Sequence, residues 1–153
     1  MFMRRAGDFV LDHLVFGFLA GALGVIVFHQ LTLYGWAGRT PWSNWAPVPP
    51  WGVPTLVSQT FWGGLWGVLL ALLMRAAPIL FPRRPLGGLL FYVAALVFGA
   101  LLPTLASWYL VPVFKGGAFG PRGVWYNGLV INGMWGLGTG LFLVLFTRRS
   151  FRP

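Results

Sequence analysis

The stretch LGGLLFYVAALVFGALLPTLASWYL, from Leu86 to Leu110, decides the fold. It carries no charged side chain, and its side-chain hydrogen-bonding groups are confined to Tyr92 and the segment after Pro103. A hydrocarbon core about 30 Å thick takes roughly 20 helical residues to cross, so the stretch reads as a transmembrane helix. A barrel strand would be about ten residues of alternating polarity. Continuous apolarity leaves the helix, which satisfies its own backbone groups in lipid.

Working outward, three more runs have the same character: Leu14 to Tyr34, Leu56 to Met74, and Trp125 to Phe146. The expected architecture is therefore all-α, a polytopic membrane protein of four transmembrane helices forming one domain over residues 1–153. Composition agrees. Of the 153 residues 58% are apolar and 8% charged, and the mean hydropathy is +0.76. A chain with so little polar surface cannot cover a water-soluble core. The first run follows Arg4 and Arg5 but is too long for a signal-peptide h-region and lacks a small-x-small cleavage site, so it is expected to be a retained span.

Charge sets the expected direction. Arg4, Arg5, Arg75, Arg83, Arg84, Arg148, Arg149 and Arg152 fall on one side of the spans; Arg39, Lys115 and Arg122 fall on the other. By the positive-inside rule both termini and the second connection are cytoplasmic, and the first and third connections lie outside. The net charge of +9 does not point to nucleic acid, because the cations sit in small groups between apolar runs rather than along one face. Trp36, Trp42, Trp45 and Trp51 in the first outer connection, with Trp108, Tyr109, Trp125 and Tyr126 around the other, read as an interfacial aromatic belt. Pro47 to Pro54 should be extended.

Small residues recur at helical spacing. Gly17, Gly21 and Gly24 share a face of the first span, Gly63 and Gly67 form a small-xxx-small pair on the second, and Gly136 and Gly140 another on the fourth. Such faces let helix backbones approach where no hydrophobic effect drives them together; a neighbour in the same chain and one in another chain are both open. At an offset of 73, Trp62, Gly63, Gly67, Leu70 and Arg75 align with Trp135, Gly136, Gly140, Leu143 and Arg148. This raises a duplicated two-helix unit, against the alternative of two similar glycine-faced helices. Two spans per unit would put the symmetry axis along the membrane normal.

The polar side chains within the spans are not scattered. His29, Gln30, Gln59, Thr60, Thr104, Ser107, Asn127 and Asn132 all fall in the outer half, roughly 5 to 15 Å from the span centres at about 1.5 Å per residue. They are expected to meet between helices, either bonding one another or forming an outward pocket for a headgroup, quinone, pigment or other small ligand. His29 can be imagined as an axial ligand to a haem or chlorophyll-type ring. His13 cannot serve the same metal, because on one helix the two lie about 24 Å apart. A hydrogen-bonded or water-facing imidazole is the simpler expectation.

No catalytic residues or metal site are expected, and no cofactor can be named. The only carboxylates, Asp8 and Asp12, sit with His13 at the cytoplasmic end of the first span, where Arg4 and Asp8 have i, i+4 spacing for a charge pair. Hydrolysis or phosphotransfer needs such groups brought together. Zero cysteines exclude thiolate chemistry and disulfides.

The segments TFWGGLWGVLLALLMR (Thr60 to Arg75), VFGALLPTLASWYLVPVF (Val97 to Phe114) and NGMWGLGTGLFLVLF (Asn132 to Phe146) loosely resemble small glycine-rich, four-span bacterial inner-membrane proteins of the YagU-like kind. The resemblance covers the last three spans and implies architecture and an inner-membrane location, without a site. The expected function is a non-enzymatic accessory or structural subunit of a larger inner-membrane assembly. Its expected partners are the lipid bilayer and other membrane subunits, or further copies of itself. The alternative is a small homo-oligomeric channel or transporter whose outer polar cluster begins a pathway.

Overall fold

The computed structural model describes residues 2–76, 88–115, 117–121 and 123–147. Arg83 and Arg84 of the second connection, Arg122, and the terminal Arg148, Arg149 and Arg152 lie outside the described residues, as do the side chains of Asp8 and Asp12. The described residues are helical apart from loops and one small hairpin. Helix α1 (Phe2–Gly24) runs through a π-helical turn (Val25–His29) into α2 (Gln30–Ala37). Strands β1 (Pro47–Val48) and β2 (Val53–Pro54) pair antiparallel and lead into α3 (Thr55–Ala76). Helix α4 (Gly88–Leu105) passes through a second π-helical turn (Ala106–Leu110) into α5 (Val111–Lys115), and α6 (Trp125–Thr147) closes the bundle.

Four stretches are long and apolar enough to cross a membrane: His13–Ala37, Thr55–Met74, Gly88–Phe114 and Trp125–Thr147. They follow the four runs read from the sequence to within a few residues. Pro47 to Pro54 is non-helical as expected but not extended throughout: its two-residue strands fold back on each other across a turn at residues 49–52. Helix α2 stops at Gly38, whose φ of 63° is left-handed backbone that glycine adopts without a Cβ clash. There Gly38 and Arg39 donate their N–H groups back to the Tyr34 and Leu33 carbonyls.

The helices pack as two hairpins, α1 with α3 and α4 with α6, each closed over glycine. A Cβ placed on Gly21 would lie 2.9 Å from the Gly67 Cα, and one on Gly99 would lie 2.8 Å from the Gly136 Cα. In the reverse direction Gly67 would meet the Gly21 Cα at 2.7 Å and Gly136 the Gly99 Cα at 2.9 Å. One turn earlier in α1 and α4, Gly17 and Ala95 present their carbonyls to Gly67 and Gly136. The crossings are alike contact for contact. They match Gly67 with Gly136, so the structural correspondence between α3 and α6 is shifted one helical turn from the sequence offset that matched Gly63 with Gly136. Glycine Gly24 leaves the face it shares with Gly17 and Gly21 on paper: its Cα faces α6, 3.1 Å of Cβ space from the Trp135 ring.

The hairpins join along a single seam. Helices α1 and α6 pack together along much of their length, whereas α3 and α4 barely touch. The α1/α6 seam is fastened by the Trp135 indole, whose Nε1–H donates to the Gly21 carbonyl at 2.9 Å in a buried setting. Ala20, Val25, Leu70, Ala71, Ala95, Phe98, Trp135 and Leu143 form the core.

Candidate ligand-binding site

The weak contact between α3 and α4 leaves a cavity of about 650 Å³. Its lining includes His29, Gln59, Ser107 and Asn132, so half of the polar residues singled out by depth meet at one place. Trp62, Trp66 and Trp135 supply aromatic walls, and Pro103, Leu110, Val111 and Phe114 the apolar side formed by α4 and its continuation. Leu70, Ala95 and Leu143 belong to the packed core and do not line the cavity.

A difference between the two seams accounts for the gap. By the matched crossings, Trp66 of α3 stands where Trp135 stands in α6, and Phe98 of α4 stands where Ala20 stands in α1. Ala20 is fully buried and leaves room for α6 to approach. The Phe98 ring instead sits between the two tryptophans, 6.1 Å from Trp66 and 6.5 Å from Trp135 between centroids. An interior packed like an organic solid cannot absorb a phenyl ring in the space of a methyl group. Phe98 therefore holds α3 away from α4, and the Trp66 indole makes no hydrogen bond among the described residues where its counterpart binds Gly21.

The polar groups differ in what they have left to offer. Thr104, fully buried, donates to the Gly128 carbonyl at 3.1 Å and accepts from Asn132 Nδ2 at 2.9 Å, which fixes the Asn132 amide at the cavity wall. The Ser107 hydroxyl is spent on the Thr104 carbonyl at 2.7 Å. Gln59 and Ser58 make no side-chain hydrogen bond among the described residues, though both line the cavity. Uncompensated amides in an apolar setting are costly, of order a few kcal/mol, so Gln59 is available to whatever fills the space.

His29 is oriented from outside. Trp42 folds back over the first π-helical turn with a left-handed φ of 53°, which is rare for a bulky side chain. Two bonds hold it there. Its backbone N–H donates to Gln30 Oε1 at 2.9 Å, and its indole Nε1–H donates to the Ile26 carbonyl at 2.7 Å. The second acceptor exists because of the π-turn: Gln30 N–H bonds to Val25 O, five residues back, and so leaves the Ile26 carbonyl without its usual α-helical donor. With Oε1 taken by Trp42, Gln30 presents Nε2 to His29 Nδ1 at 3.4 Å. Nδ1 then accepts, and the proton of the neutral imidazole lies on Nε2.

The second π-turn acts similarly on the opposite wall. Val111 N–H bonds to Ala106 O rather than to Ser107 O, which releases the Ser107 carbonyl beside the cavity.

The other expected members lie elsewhere. Gln30 is buried but serves Trp42 and His29 without lining the cavity. Thr60 bonds the Leu56 carbonyl at 2.8 Å and borders a separate apolar groove with Phe18, Ile26 and Phe61. Asn127 accepts from Trp36 Nε1–H at 3.0 Å in an exposed pair at the bundle end. Gly140 packs against Ala95 and Phe91. Sequence reasoning missed Gly99, although Ala95 and Gly99 form a small-xxx-small pair, and Phe98, which no spacing rule flags; it placed Trp42 in an aromatic belt without its bonds to Gln30 and Ile26.

No group of three or more His, Asp or Glu side chains gathers among the described residues. Comparison with known protein families, curated proteins and solved structures finds no match to this chain.

Proposed function

We propose that this chain is a non-enzymatic, four-span accessory subunit of a bacterial inner membrane that holds an amphipathic membrane molecule between α3 and α4. The observation that carries the reading is the cavity of about 650 Å³, in which Gln59 and His29 meet three tryptophans. Small-molecule sites combine that size range with apolar walls and a few placed polar groups. Both termini are cytoplasmic in this reading, supported by the arginine distribution, and the cavity lies in the outer half. Close packing of Leu70, Ala71, Ala95 and Leu143 on the inward side favours a blind site over a conduit. The matched glycine crossings support descent from a duplicated two-helix unit, with α1–α3 and α4–α6 as its copies. The likeness to four-span proteins of the YagU-like kind belongs to the same reading.

The experiment is purification from membranes in mild detergent followed by native mass spectrometry. Expected are an adduct of lipid-like mass and co-purifying membrane subunits. A chain that is folded, ligand-free and alone in every detergent would refute both halves of the proposal.

A further inference from the structure

We infer that the occupant of the α3/α4 cavity has an uncharged, flat, carbonyl-bearing head and a hydrocarbon tail, as in a quinone. The inference takes the binding role proposed above as its basis and adds the chemistry of the ligand.

Charge excludes most headgroups. Among the described residues no Lys, Arg, Asp or Glu lines the cavity. A phosphate or ammonium group moved there would lose its water without gaining a counter-charge, and an isolated buried ion is among the costliest arrangements in a protein. An uncharged head pays no such cost.

The hydrogen-bonding groups then say which uncharged head fits. His29 Nε2 carries its proton, by way of the Trp42–Gln30–His29 chain, and so is a donor. Gln59 keeps its full amide, with two donors and an acceptor, free among the described residues. Donors set by the surrounding protein match carbonyl acceptors. The released Ser107 carbonyl on the opposite wall would accept from a hydroxyl, so a reduced, hydroxyl-bearing form of the same head is accommodated too.

Shape completes the argument. The indoles of Trp62, Trp66 and Trp135 line the cavity, Trp135 with little of its surface exposed, and aromatic rings pair preferentially with other rings. A ring occupies only part of about 650 Å³. The remainder is bordered by Leu110, Val111 and Phe114, which suit the first part of a tail leaving between α3 and α4.

The test is fluorescence titration of the detergent-solubilised chain with a benzoquinone carrying a decyl chain, read as quenching of the lining tryptophans. Decyl phosphate and decylcyclohexane serve as competitors that share the tail. Saturable quenching is expected, with neither competitor displacing the quinone at equal concentration, and Gln59→Met should weaken binding about tenfold, the worth of one hydrogen bond. His29→Leu provides a second variant if Gln59→Met does not fold. Displacement by decyl phosphate or by decylcyclohexane would overturn the quinone-like head while leaving a lipid site in place. Binding unchanged in both folded variants would overturn it as well. Absence of binding by all three probes, together with an adduct-free native mass, would remove the binding role itself.

Discussion

The Trp135 indole and the Gly21 carbonyl, 2.9 Å apart, form a buried hydrogen bond that ties α6 to α1. Gly21 serves two neighbours at once. The same residue lets α3 pass on one side and leaves its carbonyl open to the indole on the other. Trp135→Phe should therefore loosen the docking of the two hairpins, at a cost of roughly 1 to 2 kcal/mol for the bond. Unfolding in mixed micelles measures this. Trp66→Phe, which breaks no hydrogen bond, should cost less, and equal costs would contradict the asymmetry of the seams.

Glycines at the crossings should not tolerate even alanine. Gly21→Ala and Gly99→Ala would each place a methyl group against backbone of the facing helix, and a backbone cannot swing aside as a side chain can. Gly35→Ala, with nothing within 4 Å of the added carbon, is the control. Thermal melting in detergent should show both crossing variants falling well below the control. The bulkier Gly21→Leu and Gly136→Leu should disrupt the bundle more than Leu70→Ala or Leu143→Ala.

Phe98 is expected to govern the width of the α3/α4 gap. In Phe98→Ala, α3 should settle towards α4 as α6 settles on α1 at Ala20. A disulfide or spin-label pair placed across that seam would report the shorter separation. An unchanged or larger distance would mean that some other contact keeps the seam apart.

Gln30→Leu should release the outer loop. Trp42 would lose the acceptor of its backbone N–H while keeping an unfavourable φ of 53°. Limited proteolysis between Gly38 and Ala46 should then accelerate severalfold, while the rest of the bundle remains resistant.

Direction in the membrane is testable directly, because the chain has no cysteine of its own. Cysteines introduced at Ser43 and Ala118 should react with an impermeant maleimide added to intact cells. Cysteines at Pro85 and Ser150 should stay unreacted until the cells are broken. Reaction at Pro85→Cys in intact cells would invert the orientation.

The four long helices were legible because a single demand, internal satisfaction of every backbone group, writes itself into the sequence as unbroken apolar runs. Gly17, Gly21, Gly63 and Gly67 were legible for a related reason, since close approach requires small residues at regular spacing. The site was half legible. Counting residues along a helix gives depth, which placed Gln59 and Thr60 together, but consecutive residues point about 100° apart around the axis, and only Gln59 reaches the cavity. Gln30 and Trp42 depend on a chain reversal at left-handed φ and on a carbonyl released by a π-turn, and neither feature has a spacing signature. Phe98 looks like any other apolar residue until the matching of Gly21 with Gly99 shows that alanine occupies the corresponding place.

Joining two hairpins along one edge gives the molecule the mechanics of a book whose spine is the α1/α6 seam. Each cover is closed tightly by its glycine crossing, whereas the open edge between α3 and α4 has few contacts to fix the angle between the covers. A molecule lodged between α3 and α4 would set that angle as a bookmark does. The setting would then be legible from the outer faces of the bundle, to a neighbouring subunit that never touches the occupant.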